Sequence, residues 1–296
     1  MRRFFAFGFT FFFVLSASSQ KRSFEKEIIF RFTSPFTSFP DLLRKSGHTY
    51  QNQVFPYTDH YDDSSVLIIV PPHFKPAENV DMIFWFHGWY NSIDSSVGAF
   101  NLIDQFIASK RNALLVIPET SKKAPDSYGG KLEKEGMFRK LVEDIIYSKR
   151  PMLGIKNQMH SGNIILAGHS GAYRLIAHII HQGGLPIQEV LLFDGLYGQL
   201  DKFKPWILSD KNHSFVHWYT NKGGGTDEVS DTLMNQLKRE NIEFRLVEET
   251  IPETKLPQKT QILFVHSSRE HNEVITNPDN FKLLIQRSRY LRKIKK

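Results

Sequence analysis

The sequence predicts an α/β fold with a mostly parallel central sheet and helices on both of its faces. Two observations carry this prediction. Short runs that are apolar at almost every position recur along the chain: SVLIIV (65–70), MIFWF (82–86), ALLVI (113–117), NIILAG (163–168) and EVLLF (189–193). Amphipathic stretches of helical period separate most of them. A strand without a polar face is buried on both sides, and that requires a helix layer above and below the sheet. The length of 296 residues allows two domains of roughly 150 residues or one large α/β domain, and no internal repeat or low-complexity linker divides it.

The elements follow in order. In FEKEIIFRF, Phe24, Ile28, Phe30 and Phe32 fall on one face of a strand by their period of two. SPFTSFPDLLRKSGH is rich in turn formers, with room for one helical turn. SVLIIV is a strand stopped by Pro71-Pro72, and MIFWF is the next. Residues 93–109 read as a helix, and ALLVI as a strand stopped by Pro118. Residues 131–149 read as a helix with Leu132, Met137, Leu141, Ile145 and Ile146 on its apolar side. NIILAG is a strand, 172–182 a helix, EVLLF a strand and 199–208 a helix. SFVHWYT (214–220) is a strand and 228–240 a helix, while FRLVE (244–248) and ILFVH (262–266) are strands. The tail from 278 reads as a helix with a basic outer face.

In parallel sheets the ligand site forms at the carboxyl ends of the strands, so the residues just after each strand carry the chemistry. After NIILAG comes Gly168-His169-Ser170-Gly171-Ala172, then a helix. A turn this tight holds a serine Oγ in the open, provided small residues let strand and helix approach; Gly168 and Ala172 meet that need. Here the chain resembles the α/β-hydrolase family, whose pattern is G-x-S-x-G, with Ala172 in the last place. The GHSGAYR and FDGLYG segments are similar to those of uncharacterised bacterial members. The resemblance implies an α/β-hydrolase fold and a Ser-acid-His triad in that chain order, with Ser170 as nucleophile. It also implies that His87-Gly88-Trp89, after MIFWF, supplies oxyanion donors near Gly88 and Trp89 beside the N–H of Gly171. His87 then pins that loop rather than acting as a base.

Only His266 and His271 are available late enough to be the base. His266 ends a strand and is held by the sheet; His271, five residues on, lies in a loop able to reach the serine, and is preferred. The acid is Asp194, directly after EVLLF, or Asp227 in NKGGGTDEVS, where many family members carry it. Asp194 is preferred because Asp227 also fits a first-turn helix residue.

Other features carry less. Gly223-Gly224-Gly225 lacks the spacing and the Lys-Ser/Thr ending of a phosphate loop, and reads as a flexible loop at the site mouth. The histidine pairs 178/181 and 213/217 lack a metal-binding pattern and read as packed or surface residues. The polar stretch from Pro118 to Lys131 borders the site, where Asp126, Ser127 and Tyr128 either touch substrate or lie in a solvated loop. No metal and no cofactor are expected.

The absence of cysteine excludes disulfides, thiolate metal sites and a thiol nucleophile. The formal charge of +7 is concentrated at the ends: Arg2 and Arg3, and seven Lys or Arg in the last 15 residues. Those nine charges exceed the total, so the body of the chain is close to neutral. MRRFFAFGFTFFFVLSASSQ reads as a cleaved secretory signal over 1–19, with a basic start, an apolar stretch from Phe4 to Leu15 and small residues after it. The apolar stretch is short of the roughly 20 residues of a spanning helix. The expectation is an exported periplasmic or extracellular protein, a single hydrolase domain over 20–296, and no transmembrane segment after signal removal. The expected activity is that of a serine hydrolase on a small ester or amide, with a carboxylesterase preferred. A lipase, a peptidase or a catalytically inactive binding protein of the same fold are the alternatives. A nucleic-acid or membrane-surface role for the basic tail is not expected.

Overall fold

The computed structural model describes residues 25–294 except 76, 150–151, 154–158, 251–253, 258–259 and 277–278. The expected signal, Phe24, Lys295 and Lys296 lie outside the described residues. The chain runs β1 (Ile28–Thr33), a 3-10 turn (Leu42–Arg44), β2 (His48–Tyr50), β3 (Gln53–Phe55), α1 (Tyr57–His60), β4 (Ser65–Val70) and β5 (Asn79–Phe86). It continues with α2 (Ile93–Ala99), α3 (Leu102–Ser109), β6 (Leu114–Pro118), α4 (Met137–Lys149), β7 (His160–His169), α5 (Tyr173–Gln182), β8 (Glu189–Phe193) and α6 (Leu200–Ser209). The last part is β9 (Ser214–Thr220), α7 (Thr226–Arg239), β10 (Arg245–Glu248), β11 (Ile262–Ser267), α8 (Glu273–Thr276) and α9 (Asn280–Arg287).

Nine strands form one sheet in the order β1-β4-β6-β5-β7-β8-β9-β11-β10. β4 is antiparallel to β1 and to β6; from β6 to β10 every neighbouring pair is parallel. The apolar runs supply both faces by strict alternation. Met82, Phe84 and Phe86 of β5 pack on one side with Leu141 of α4, Ile176 of α5, Phe203 of α6 and Leu237 of α7. Ile83 and Trp85 pack on the other with Ile93 of α2, Phe106 of α3, Val274 of α8 and Phe281 of α9. A parallel sheet covered on both faces is therefore what the fully apolar strands dictate.

Three expectations need correction. The helix expected over 93–109 is two helices, because Asn101 adopts a left-handed backbone (φ 48°) between α2 and α3; asparagine tolerates that region better than most residues. The helix expected over 131–149 opens as a 3-10 turn (Gly130–Glu133), and α4 starts only after Gly136 at φ 68°. The tail is helical only to Arg287 and then runs as a bent, non-helical strap, with Asn112 N–H donating to the Arg292 carbonyl (2.8 Å) and Ile294 N–H to that of Lys110 (2.9 Å). Its arginines are used within the molecule. Arg287 donates to the carbonyls of Pro257 (3.0 Å) and Thr260 (2.9 Å), Arg289 to Asn212, and Arg292 to Asn79. The basic face read from the sequence is in large part a set of carbonyl staples. Among the described residues no helix is long and apolar enough to cross a membrane.

Candidate active site

The carboxyl ends of β5, β7, β8, β9 and β11 lie at one edge of the sheet, since these strands are parallel. Each contributes one part of a single constellation.

Ser170 follows β7 directly at φ 54°, a strained backbone for a residue with a side chain. It opens a 3-10 turn that leads into α5. The small neighbours are required by contact: a Cβ on Gly168 would fall 2.6 Å from Ile176 Cδ1 and 2.9 Å from the Ala172 Cβ. Alanine at 172 is thus accommodated because its methyl sits against a bare Cα.

The turn after β5 is pressed onto this serine. A Cβ on Gly88 would lie 2.6 Å from Ser170 Cβ and 2.9 Å from the His169 carbonyl oxygen. His87 is buried, its Nδ1 donating to the Gly88 carbonyl (2.9 Å) and its Nε2 hydrogen-bonded to Glu119 Oε1 (2.6 Å). In a trans peptide C=O and N–H point in opposite directions, so holding the Gly88 carbonyl to His87 turns the Trp89 N–H away from it. The Trp89 ring lies over Gly171, and its Nε1–H donates to Ser127 Oγ at 2.7 Å.

Asp194 follows β8, also left-handed at φ 41° and fully buried. Its Oδ2 accepts from His271 Nδ1 at 2.5 Å. Its Oδ1 accepts from the Thr220 N–H (3.2 Å) and from the Thr226 hydroxyl. Burial works to raise its pKa, yet the hydrogen bonds from His271 and Thr226 outweigh it and hold the carboxyl below its ordinary value. The glycine loop closes over it: a Cβ on Gly223 would fall 1.8 Å from Asp194 Oδ2.

His271 stands in the loop between β11 and α8, partly open to solvent. The Thr220 hydroxyl donates to the Arg269 carbonyl (2.6 Å), and Arg269 is paired with buried Glu249 (3.0 Å). His169 Nε2 donates to the His271 carbonyl (3.2 Å), and the two rings lie 4.4 Å apart. Burial, with His271 adding, depresses the His169 pKa to about 3, so it is neutral. His217 is also buried and pushed down to about 3; its Nε2 accepts from the Gly195 N–H (3.3 Å) and its Nδ1 donates to Ser230 Oγ (2.9 Å).

The structure therefore joins Asp194 to His271 and sets Gly88, Trp89 and Gly171 against Ser170 and its turn. His266 is turned to Glu248 (2.7 Å), and Asp227 sits in the first turn of α7. In the polar stretch, Asp126 binds Arg44 (2.6 Å) and the Tyr128 hydroxyl binds Asp41 (3.0 Å), leaving Ser127 as the one of the three against Trp89 and Gly171. Among the described residues no cluster of three or more His, Asp or Glu could hold a metal ion. The sequence reading missed Thr220, Thr226, His169, Glu119 and Tyr197; His217, read as a packed or surface residue, is packed. None carries a local signal, because each acts through contacts between distant strands.

No family model and no curated protein matches this chain. Solved structures do. A ferulic acid esterase matches with a TM-score of 0.50 at 8% identity, over 88% of this chain and 98% of that one. The S-formylglutathione hydrolase FrmB from Staphylococcus aureus matches with 0.49 at 11% identity, over 89% and 96%. The fluorophosphonate-binding serine hydrolase FphF, also from Staphylococcus aureus, matches with 0.48 at 11% identity, over 88% and 96%. The first likeness, together with the strand order and the helices on both faces, gives this chain the α/β-hydrolase fold.

Proposed function

We propose that this protein is a serine hydrolase, and specifically a carboxylesterase working through an acyl-enzyme. One observation carries the reading: the buried Asp194 carboxylate holds His271 Nδ1 at 2.5 Å, on loops that flank a serine at φ 54°. With Nδ1 bonded to the carboxylate, Nε2 is the nitrogen left to take the Ser170 proton. Ser170 Oγ then attacks the ester carbonyl, and the oxyanion is met by the backbone N–H of Gly171 and of the Gly88-Trp89 turn. His271 returns the proton to the leaving alcohol. Water, activated the same way, releases the acid and restores Ser170. A location outside the cytoplasm belongs to the same proposal and rests only on the leader-like sequence of residues 1–19.

A fluorophosphonate probe tests the assignment. Wild type should label and hydrolyse a nitrophenyl ester, and Ser170→Ala should do neither. Labelling that persists in Ser170→Ala removes the nucleophile. Folded wild type that neither labels nor hydrolyses points to the inactive binding protein instead.

A further inference from the structure

Tyr197 has no role in the triad as described, yet it touches most of its parts. It lies three residues after Asp194 on the loop into α6, half-buried. Its hydroxyl donates to the Gly223 carbonyl at 2.7 Å. Its ring meets the His271 ring edge-on at 6.5 Å, and the ring of Tyr173, three residues after Ser170, at 5.7 Å. Gly223 is the residue whose Cα is pressed against Asp194 Oδ2, the oxygen that orients His271. The far oxygen of that carboxylate is already enclosed by Thr220 and Thr226. What remains is the side covered by the glycine loop. Two glycines at φ 83° and 109° follow Gly223, so this loop has little intrinsic stiffness and is seated by its contacts.

We propose that Tyr197 is a positioning residue of the triad: its hydroxyl ties Gly223 down over the Asp194 carboxylate and so keeps water from the His271–Asp194 hydrogen bond. The phenol is suited to this. Burial, then the nearby Asp194 charge, push its pKa up, with Ser170 opposing, so the phenol stays protonated as a donor. Its single proton goes to the Gly223 carbonyl, which can only accept. The phenol oxygen therefore has no second proton to give and can only accept on the side of Ser170. Water admitted to Oδ2 would screen the carboxylate and loosen its hold on the imidazole.

The inference rests on the hydrolase reading, so its test includes a readout that needs no turnover. Tyr197→Phe keeps the ring and removes the tie. With a nitrophenyl ester, kcat should fall about 10- to 100-fold while KM changes little, as for a small misplacement of a catalytic group. The acid limb of the kcat/KM profile should move to lower pH, because a hydrated carboxylate stabilises imidazolium less. By NMR, the His271 Nδ1 proton should exchange with water faster than in wild type. Gly223→Ala, which forces the same loop off Asp194, should reproduce the faster exchange. Unchanged kcat, acid limb and proton exchange in folded Tyr197→Phe would overturn the proposal, as would a loss confined to KM. If wild type proves inactive on esters while the exchange still responds, the positioning role stands and the proposed function falls.

Discussion

Two histidines buried around the candidate site should make this protein sensitive to mild acid. His169 and His217 are both fully buried, and burial pushes both to about 3 from an ordinary 6.5. The unfolded chain takes up these protons as pH falls below 6.5, whereas the folded chain cannot do so until near 3. Stability is therefore complete above 6.5 and is lost progressively as pH falls through that window. From pH 7 to pH 5 each histidine removes about 2 kcal/mol, and the pair about 4 kcal/mol. The loss is a large part of a marginal fold's roughly 5–15 kcal/mol. Urea unfolding between pH 7 and 4.5 measures it. The linkage slope near pH 5 should exceed that of His169→Gln or His217→Gln by about 1.4 kcal/mol per pH unit each. A flat wild-type profile, or variants with the wild-type slope, would refute the reasoning.

Three further outcomes follow from the geometry. Asp194→Asn should lower kcat by about 10⁴-fold through the wrong imidazole tautomer, while Asp227→Asn, in the first turn of α7, stays close to wild type; nitrophenyl ester kinetics on both decide it. Gly88→Ala places a methyl 2.6 Å from Ser170 Cβ and pushes the turn off the serine, so kcat should drop about 100-fold or more in a protein that still melts cooperatively. Arg287→Met removes the donor to two carbonyls and should cost about 2–3 kcal/mol in urea unfolding, with kcat/KM retained.

Element boundaries are legible in the sequence where a residue's type dictates its surroundings, and hidden where one backbone angle decides. The apolar runs at 65–70, 163–168 and 189–193 are strands β4, β7 and β8 to within a few residues. The split at Asn101 and the late start of α4 hang on single left-handed residues inside sequences of good helical period. The hairpin β2–β3 was not foreseen, since its strands are three residues long and partly exposed and so show no clear alternation.

By itself the sequence determined the layered α/β architecture, because a strand apolar on both faces has no other stable setting. It also determined the serine turn, since few residues other than Gly168, Gly171 and Ala172 fit against Ile176, Trp89 and Gly168 at so close a crossing. Only the tertiary structure decided which carboxylate meets His271. Asp194 and Asp227 both follow strands in suitable order, and what separates them is the enclosure of Asp194 by Thr220, Thr226 and Gly223 from the neighbouring strand's loop. The tail's charges were decided in the same way. Their number is in the sequence, but whether an arginine faces solvent or a carbonyl depends on which loop ends lie within its reach.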